Sequence, residues 1–507
     1  MRPPCAARAR MAVVAAGTAC AHRPPRRCRQ RHRGAGVGCR VRSVRTGDGD
    51  DQPLRQPLPG RLRDGRFLDP VRTHGALCRL AGAGSDAPND RTGHWPACRR
   101  LRLPLPAHSP NLPRTRRRRR ARLLARGLTM ALAFWTCIAV VLFAYFGYPA
   151  WMSLLALLRP RPLQTAPWAP MIDVLLVVHD AAGEIARKID NLLALDYPPG
   201  QLRINVVCDG CHDDTEAIAR AHGSRQLRVF AHPARRGKSA CIGSTLPLLD
   251  GEIVLFTDVR QRLDRDAARA LTAALADPSV GVASGELVLE SAAGFGQGVD
   301  AYWRYEKLIR RMESASGSLV GVTGAIYAAR RNVLPEVPPG LILDDMWIPL
   351  SVAVHGLRVV FVPQALAFDR AATDPAAEAR RKRRTLAGNF QLLHRWPALG
   401  VPGAHPLAWR LWGHKWLRLL VPWLLALALV LNALLASGRG LYAALLAVQL
   451  LAYALALAGW LWPRLMALLP IRIASTFLSL NLSAAAALVM YISERDLHLW
   501  SATPSRR

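Results

Sequence analysis

The sequence predicts an α/β domain held between membrane-spanning helices, on three observations. Short apolar runs alternate with stretches of helical spacing between residues 173 and 258. Long, nearly uncharged stretches flank that region on both sides. Three aspartates, Asp180, Asp209 and Asp258, each stand just after an apolar run, where open α/β sheets bind their ligands.

The first apolar stretch, residues 131–158, runs for more than 20 residues without a charge. At 1.5 Å per residue that is enough to span a bilayer core. It lacks the small-residue cleavage site of a signal peptide. Trp135, Tyr148 and Trp151 suit interfacial positions, and Arg159 and Arg161 favour a cytosolic flank on the C-terminal side. After a Pro-rich linker (162–172) the pattern changes. Strands are predicted at Asp173–Val178, Ile204–Cys208, Leu227–Ala231 and Ile253–Thr257, with helices at Glu184–Leu195, Asp214–Ala221 and Lys238–Leu249. This alternation predicts a mainly parallel sheet with crossover helices. Beyond residue 400, Leu417–Leu435, Leu441–Trp462 and Ile473–Ile492 each approach spanning length. Lys415 and Arg418, and then Arg464 and Arg472, mark cytosolic ends. Three such spans would carry the C-terminus across the membrane; the basic Arg506 and Arg507 oppose that and leave an even number open.

The net charge of +33 resembles that of a nucleic-acid binder, but its distribution does not. Residues 1–129 hold 30 Arg, no Lys, 7 Asp and no Glu, and so account for +23 of it. No aromatic interleaving accompanies the Arg116–Arg120 run, and no nucleic-acid partner is expected. The segment is expected to be a disordered extension, or one that is not natively made. Met130 opens directly onto the first hydrophobic helix, as an authentic start would. Six of the ten cysteines lie in the same segment. Cys208 and Cys211 form a lone C-x-x-C, without the second pair that a zinc site built from such motifs needs.

Six segments carry candidate chemistry. They are VVHDAAGEIARKIDNLLALDYP (177–198), VVCDGCHDDT (206–215), RRGKSACI (235–242), LFTDVRQR (255–262), the pair GVTGAIYAARR (321–331) and LILDDMWIPL (341–350), and RRKRRTLAGNFQLL (380–393). In this order they resemble the motifs of membrane-bound family 2 glycosyltransferases, a group that includes cellulose, hyaluronan and poly-N-acetylglucosamine synthases. The resemblance covers roughly residues 130–500. It implies a GT-A fold, a Rossmann-like α/β nucleotide-sugar domain, at 165–400. A transmembrane helix at 130–160 precedes it and about three more at 410–495 follow.

The resemblance also implies roles. Asp180, Asp209, Lys238, Asp258, Asp344, Arg381 and Arg384 would bind the nucleotide sugar. Asp258 would also hold Mg²⁺ or Mn²⁺ against the donor diphosphate. Lys238 would neutralise diphosphate charge, with Gly237 allowing close backbone approach, and the arginines would clamp the same group. Asp345 would be the general base that deprotonates an acceptor hydroxyl as it attacks the anomeric carbon, with Asp344 raising its pKa by repulsion. The implied donor is a nucleotide sugar, a UDP-sugar first; the acceptor is lipid-linked or a glycan, at a bacterial inner membrane with the catalytic domain in the cytosol. The sequence departs from the family at three places. Ala181 replaces a Glu, Arg260 replaces the second acid of D-x-D, and Thr385 stands where a stacking Trp is usual. These departures favour short products over long chains. They also leave two alternatives, a polyprenyl-phosphate sugar transferase and a catalytically impaired sugar-nucleotide-binding membrane protein.

Overall fold

The computed structural model describes residues 114–290, 297–370, 375–437 and 440–499. The expectations for residues 1–113 and for Arg506 and Arg507 fall outside the described residues.

The chain enters through α1 (Arg114–Leu142), a π-helical turn at Phe143–Gly147 and α2 (Tyr148–Leu158). The π turn has a local cause. Pro149 has no N–H to give to the carbonyl four residues back, that of Tyr145. The Tyr305 hydroxyl donates to that carbonyl instead, at 2.7 Å.

Strands β1 (Ile172–Val178), β2 (Leu202–Asp209), β3 (Leu227–His232) and β4 (Ile253–Thr257) then alternate with α3 (Ala182–Leu193), α4 (Thr215–Ala221) and α5 (Lys238–Thr245). These lie within a residue or two of the sequence reading, except that the third helix stops early and gives way to a 3₁₀ turn at Leu246–Leu248. All seven residues of β1 are buried, as a strand covered on both faces requires. Its side chains alternate between two apolar layers. Leu175 and Val177 face one, and Val174, Leu176 and Val178 face the other with Ile185 and Ile189 of α3. The buried carboxylate of Asp173 accepts from Arg203, Asn205 and the Gly251 amide. It staples the N-terminal edge of the sheet, opposite the ends that carry Asp180 and Asp258.

The second half comprises β5 (Arg262–Leu263), α6 (Ala267–Leu275), β6 (Val280–Glu290), α7 (Gln297–Ala315), β7 (Ile326–Arg330), α8 (Asp344–Val354), β8 (Arg358–Arg370) and α9 (Pro375–Arg395). The sheet has eight strands in the order β3-β2-β1-β4-β7-β6-β8-β5. Its first four strands are parallel, as expected. The rest is mixed: β7 runs antiparallel to both β4 and β6, β8 parallel to β6, and β5 antiparallel to β8. The expected parallel alternation holds throughout residues 172–257, and in the second half β6 and β8 are parallel as well. β7 starts where β4 ends, with Ile326 opposite Thr257, and the Thr257 hydroxyl donates to the Ala325 carbonyl at 2.8 Å. This reversal brings residues 321–325 to the same sheet edge as Asp258.

After α9 come α10 (Pro406–Leu411), a second π turn at Trp412–Trp416, α11 (Leu417–Ala436), α12 (Gly440–Leu461) and α13 (Leu469–Ser493). Among the described residues four helical stretches are long and apolar enough to cross a membrane: Arg122–Leu158, Pro406–Ala436, Gly440–Leu461 and Leu469–Ser493. The two π turns meet, since a Cβ at Gly413 would collide with the Tyr148 ring. Two glutamates of α7 bind this junction. Glu313 faces Tyr148 and His414, and Glu306 faces His414 and Arg418.

The contacts of α13 are unusual for a span. Near its start Ser475 donates to the Ala456 carbonyl of α12. Near its end the Tyr491 hydroxyl meets His394 of α9 at 2.6 Å, and its ring stacks on Phe390. Ala484 and Ala487 join the same apolar cluster as Leu392 of α9 and the strands β1 and β4. The C-terminal end of α13 is thus packed on the sheet domain. An epitope appended to the C-terminus and one inserted at the exposed Gly223 loop are expected to be accessible from the same face of sealed vesicles. Accessibility from opposite faces would mean that α13 crosses completely.

Candidate functional site

Four of the sequence-predicted residues converge where β4, α5 and α8 meet. β4 delivers Asp258 directly after its last residue, α8 carries Asp344 and Asp345 in its first turn, and α5 opens with Lys238. Acids in a first helical turn are favoured by the helix dipole. The Lys238 ammonium lies 2.8 Å from Oδ1 of Asp258 and 3.4 Å from Oδ2 of Asp344. Across a small gap Gly324 faces two of the three carboxylates, Asp345 and Asp258. A Cβ placed there would stand 3.5 Å from Oδ2 of Asp345 and 3.6 Å from Oδ2 of Asp258. The Asp345 carbonyl accepts from the Val322 amide, which fixes this segment against α8.

Burial and then the charge of Asp344 push the Asp345 carboxyl up to about 7, against the pull of Lys238. Burial alone would lower Lys238, but Asp258 and Asp344 more than offset it and hold the ammonium charged well above the ordinary lysine range. Behind Asp258, buried Lys188 donates to the Thr257 hydroxyl at 2.9 Å and the Gln261 carbonyl at 2.6 Å. Its desolvation brings it down to about 7.

The turn before α5 is shaped by Asp209. Its carboxylate accepts from the amides of Arg236 (2.6 Å) and Gly237 (2.9 Å), the two residues that lead into the helix. Gly237 has φ +87, and a Cβ at Gly210 would run into the backbone of Ala234 and Arg235. The Asp-Gly pair is thus read as a contact between two turns. Asp209 is 0% exposed. Expected to meet the nucleotide, Asp209 here has both carboxylate oxygens bonded to the turn that launches α5.

Arg384 of α9 lies in the field of Asp344, Asp345 and Asp258, which oppose the lowering of its pKa by burial. Its Nε donates to the Leu497 carbonyl at 2.6 Å and its Nη2 to that of His498 at 3.3 Å. The stretch after α13 therefore reaches the site, and a Cβ at Gly237 would lie 3.1 Å from the His498 ring. Arg381, expected to bind the nucleotide sugar, is exposed and pairs with Glu378 on its own helix, nearly one turn before Arg384. Asp180 lies in the turn after β1, with φ +48, and accepts from the His212 amide at 2.7 Å. It is held in a separate cluster. Asp213 caps turns by accepting from the Ala182 and Thr215 amides. Arg260, in place of a second acid, pairs with Asp369 of β8 at 3.0 Å.

Three contributors were not singled out from sequence. Gln391 ties α9 to the loop before the acid pair, accepting from the Ile342 amide and donating to the Gly340 carbonyl. Ser239 accepts from the Leu341 amide and joins the α5 turn to the same loop. Arg310 of α7 is electrostatically coupled to Asp345. Only its helical spacing from Glu306 and Glu313 signalled it.

The residues fit a hard divalent cation. Asp258, Asp344 and Asp345 offer oxygen donors, the set that Mg²⁺ and Mn²⁺ prefer. Oδ2 of Asp344 is buried without a hydrogen-bond donor. A cation there would compete with the Lys238 ammonium for the same oxygens. Gly324→Ala is expected to keep the fold, with stability changed by less than about 0.5 kcal/mol, because its Cβ meets only ordinary contacts. It should weaken Mn²⁺ binding measured by calorimetry, since the methyl intrudes between two carboxylates; unchanged affinity would place the cation elsewhere.

Comparison with known proteins agrees with this architecture. Residues 173–396 match the family described as glycosyltransferase like family 2. The chain is 22% identical over 300 residues to a beta-monoglucosyldiacylglycerol synthase of Synechocystis sp., covering 52% of this chain and 61% of that one. It is 23% identical over 219 residues to an N-acetylglucosaminyltransferase of Azorhizobium caulinodans, covering 40% and 55%. The matches thus span about three fifths of these relatives or less. The structure is similar to that of a mannosyltransferase from Pyrobaculum calidifontis in complex with GDP-Man and Mn²⁺, with a TM-score of 0.54 and 24% identity over 71% of this chain and 100% of that one. That likeness establishes the shared GT-A fold.

Proposed function

We propose that this chain, whose residues 173–396 match the glycosyltransferase like family 2, is a membrane-anchored, inverting hexosyltransferase. It moves a sugar from a nucleotide diphosphate, a UDP-sugar first, to a lipid-linked or glycan acceptor. The observation that carries this reading is the convergence of Asp258, Asp344 and Asp345 on one edge of the sheet with Lys238 between them.

In this reading Asp345 takes the proton from an acceptor hydroxyl while that oxygen attacks the anomeric carbon from the face opposite the nucleotide. One displacement inverts the configuration. A carboxyl held near 7 suits that task, because it accepts a proton more readily than an ordinary carboxylate. Lys238 and Arg384 supply positive charge to the diphosphate, and Arg384 exchanges the Leu497 and His498 carbonyls for phosphate oxygens. Asp209 positions the amides of Arg236 and Gly237, which line the same turn. Asp258, with Asp344 beside it, would hold Mg²⁺ or Mn²⁺, whose chemistry is to neutralise the leaving diphosphate.

The named activities of the two relatives support lipid or glycan acceptors. The apolar helices support an acceptor presented at a membrane. Arg159, Arg161, Lys415 and Arg418 support a cytosolic catalytic domain at a bacterial inner membrane.

The test is a screen of nucleotide sugars on detergent-purified protein with Mg²⁺ or Mn²⁺. Asp345→Asn is expected to lower transfer by at least about a hundredfold with donor binding retained, whereas Asp258→Asn should weaken metal-dependent donor binding. Failure of the parent protein to bind or hydrolyse any nucleotide sugar would refute the reading. The pH profile gives a second check. A base raised to about 7 is protonated below that pH, so kcat/KM should fall as pH drops through 7. Asp344→Asn removes a repelling charge and should move that limb to lower pH. An unmoved limb would assign it to another group.

A further inference from the structure

A second cluster occupies the ends of β1 and β2, apart from the carboxylates around Lys238. His179 follows β1 directly and is buried. Its Nδ1 lies 2.8 Å from the Asp209 carbonyl oxygen. A carbonyl only accepts, so Nδ1 donates, and a neutral ring then carries its lone pair on Nε2. Nε2 stands 3.5 Å from Oδ2 of Asp180. Cys211 arrives from the turn after β2. One ligand atom each from His179, Asp180 and Cys211 lies within 4.8 Å of the other two, and among the described residues this is the one such group of three. His212 brings a fourth donor. Its amide is anchored on Oδ1 of Asp180 at 2.7 Å, and its ring Nδ1 lies 3.8 Å from Oδ2 of the same carboxylate.

We propose that His179, Asp180 and Cys211, completed by His212, form a binding site for a thiophilic divalent cation of the zinc type, distinct from the oxygen-donor site at Asp258. The ligand chemistry argues for it. A thiolate, two imidazoles and one carboxylate suit Zn²⁺, whereas Mg²⁺ and Mn²⁺ favour oxygen alone. The spacing argues for it too. Tetrahedral coordination at zinc bond lengths sets ligand atoms roughly 3.4–3.7 Å apart. The His179–Asp180 pair is already there at 3.5 Å. The His212 side chain is 81% exposed and swings in without disturbing the core. The His179 Nδ1–H bond to a backbone carbonyl is the outer contact that fixes the tautomer of a metal-bound histidine. On binding, the Cys211 thiol gives its proton to solvent and its sulfur becomes the anionic ligand. The C-x-x-C pair lacks a partner pair in sequence; here β1 supplies the missing ligands through space. A cation at this point cross-links the turns that follow β1 and β2.

The test uses the full chain purified in detergent with a non-thiol reductant, titrated with Co²⁺ as a spectroscopic surrogate and then with Zn²⁺. The expected result is a near-ultraviolet charge-transfer band of a cobalt–thiolate bond that Zn²⁺ displaces. Cys211→Ser, a nearly isosteric change, should remove one equivalent of bound Co²⁺ relative to the parent chain. His179→Ala should weaken that equivalent by at least about tenfold. Asp258→Asn should leave it in place. Zn²⁺ should also raise the Tm of the parent protein and not that of Cys211→Ser. Equal cobalt stoichiometry in the parent and in Cys211→Ser, or a zinc-induced rise in Tm that survives that substitution, would overturn the proposal.

Discussion

Three carboxylates cannot share one partly buried edge of a sheet without a positive charge among them, and the site is organised by that constraint. Lys238 supplies the charge, bridging Asp258 and Asp344. The surrounding structure serves to hold this ammonium and these acids in register. Asp209 fixes the turn that launches α5. Ser239 and Gln391 fix the loop that launches α8. The reversal at β7 brings Gly324 between Asp258 and Asp345. Buried ion pairs of this kind add little net stability but impose geometry. The unequal fates of the acids follow: Asp258 keeps the nearest contact to the ammonium, while Asp345 is pushed up to about 7.

The same logic operates at the junction with the apolar helices. Glu306, Arg310 and Glu313 recur at i, i+4 and i+7 on α7 and so share one face. The glutamates grip Tyr148, His414 and Arg418, and Arg310 lies within the electrostatic reach of Asp345. Burial would raise both glutamates, but Arg418 and His414 hold Glu306 well below the usual carboxylate range, and His414 with the Tyr148 hydroxyl lowers Glu313. One helix thereby registers the apolar helices against the sheet edge that carries the three acids. The π turns at Phe143–Gly147 and Trp412–Trp416 belong to the same seam, since Tyr305 on α7 repairs the carbonyl orphaned by Pro149.

Much of this was legible in sequence for physical reasons. Strands such as IDVLLVV announce themselves by continuous apolarity, and Asp258, Asp344, Asp345 and Lys238 by their places after strands or at helix starts. Contacts between distant turns were not legible. Asp209 and Arg381 look like ligand-binding residues in a linear motif, yet one spends its carboxylate on backbone amides and the other pairs along its own helix. The antiparallel β7 was hidden because apolar periodicity carries no direction. The engagement of Arg384 by Leu497 and His498, over 113 and 114 residues of separation, has no local signal at all. His179 and Cys211 likewise meet only because β1 and β2 are neighbours in register.

In the proposed mechanism a single carboxylate base, opposite one charged edge, drives one direct displacement at an anomeric carbon. The most direct measurement is the anomeric configuration of the first-formed product, read by NMR during turnover of an α-linked nucleotide sugar. A β-linked product is expected. An α-linked product would contradict a single displacement, because retention requires a second nucleophilic step.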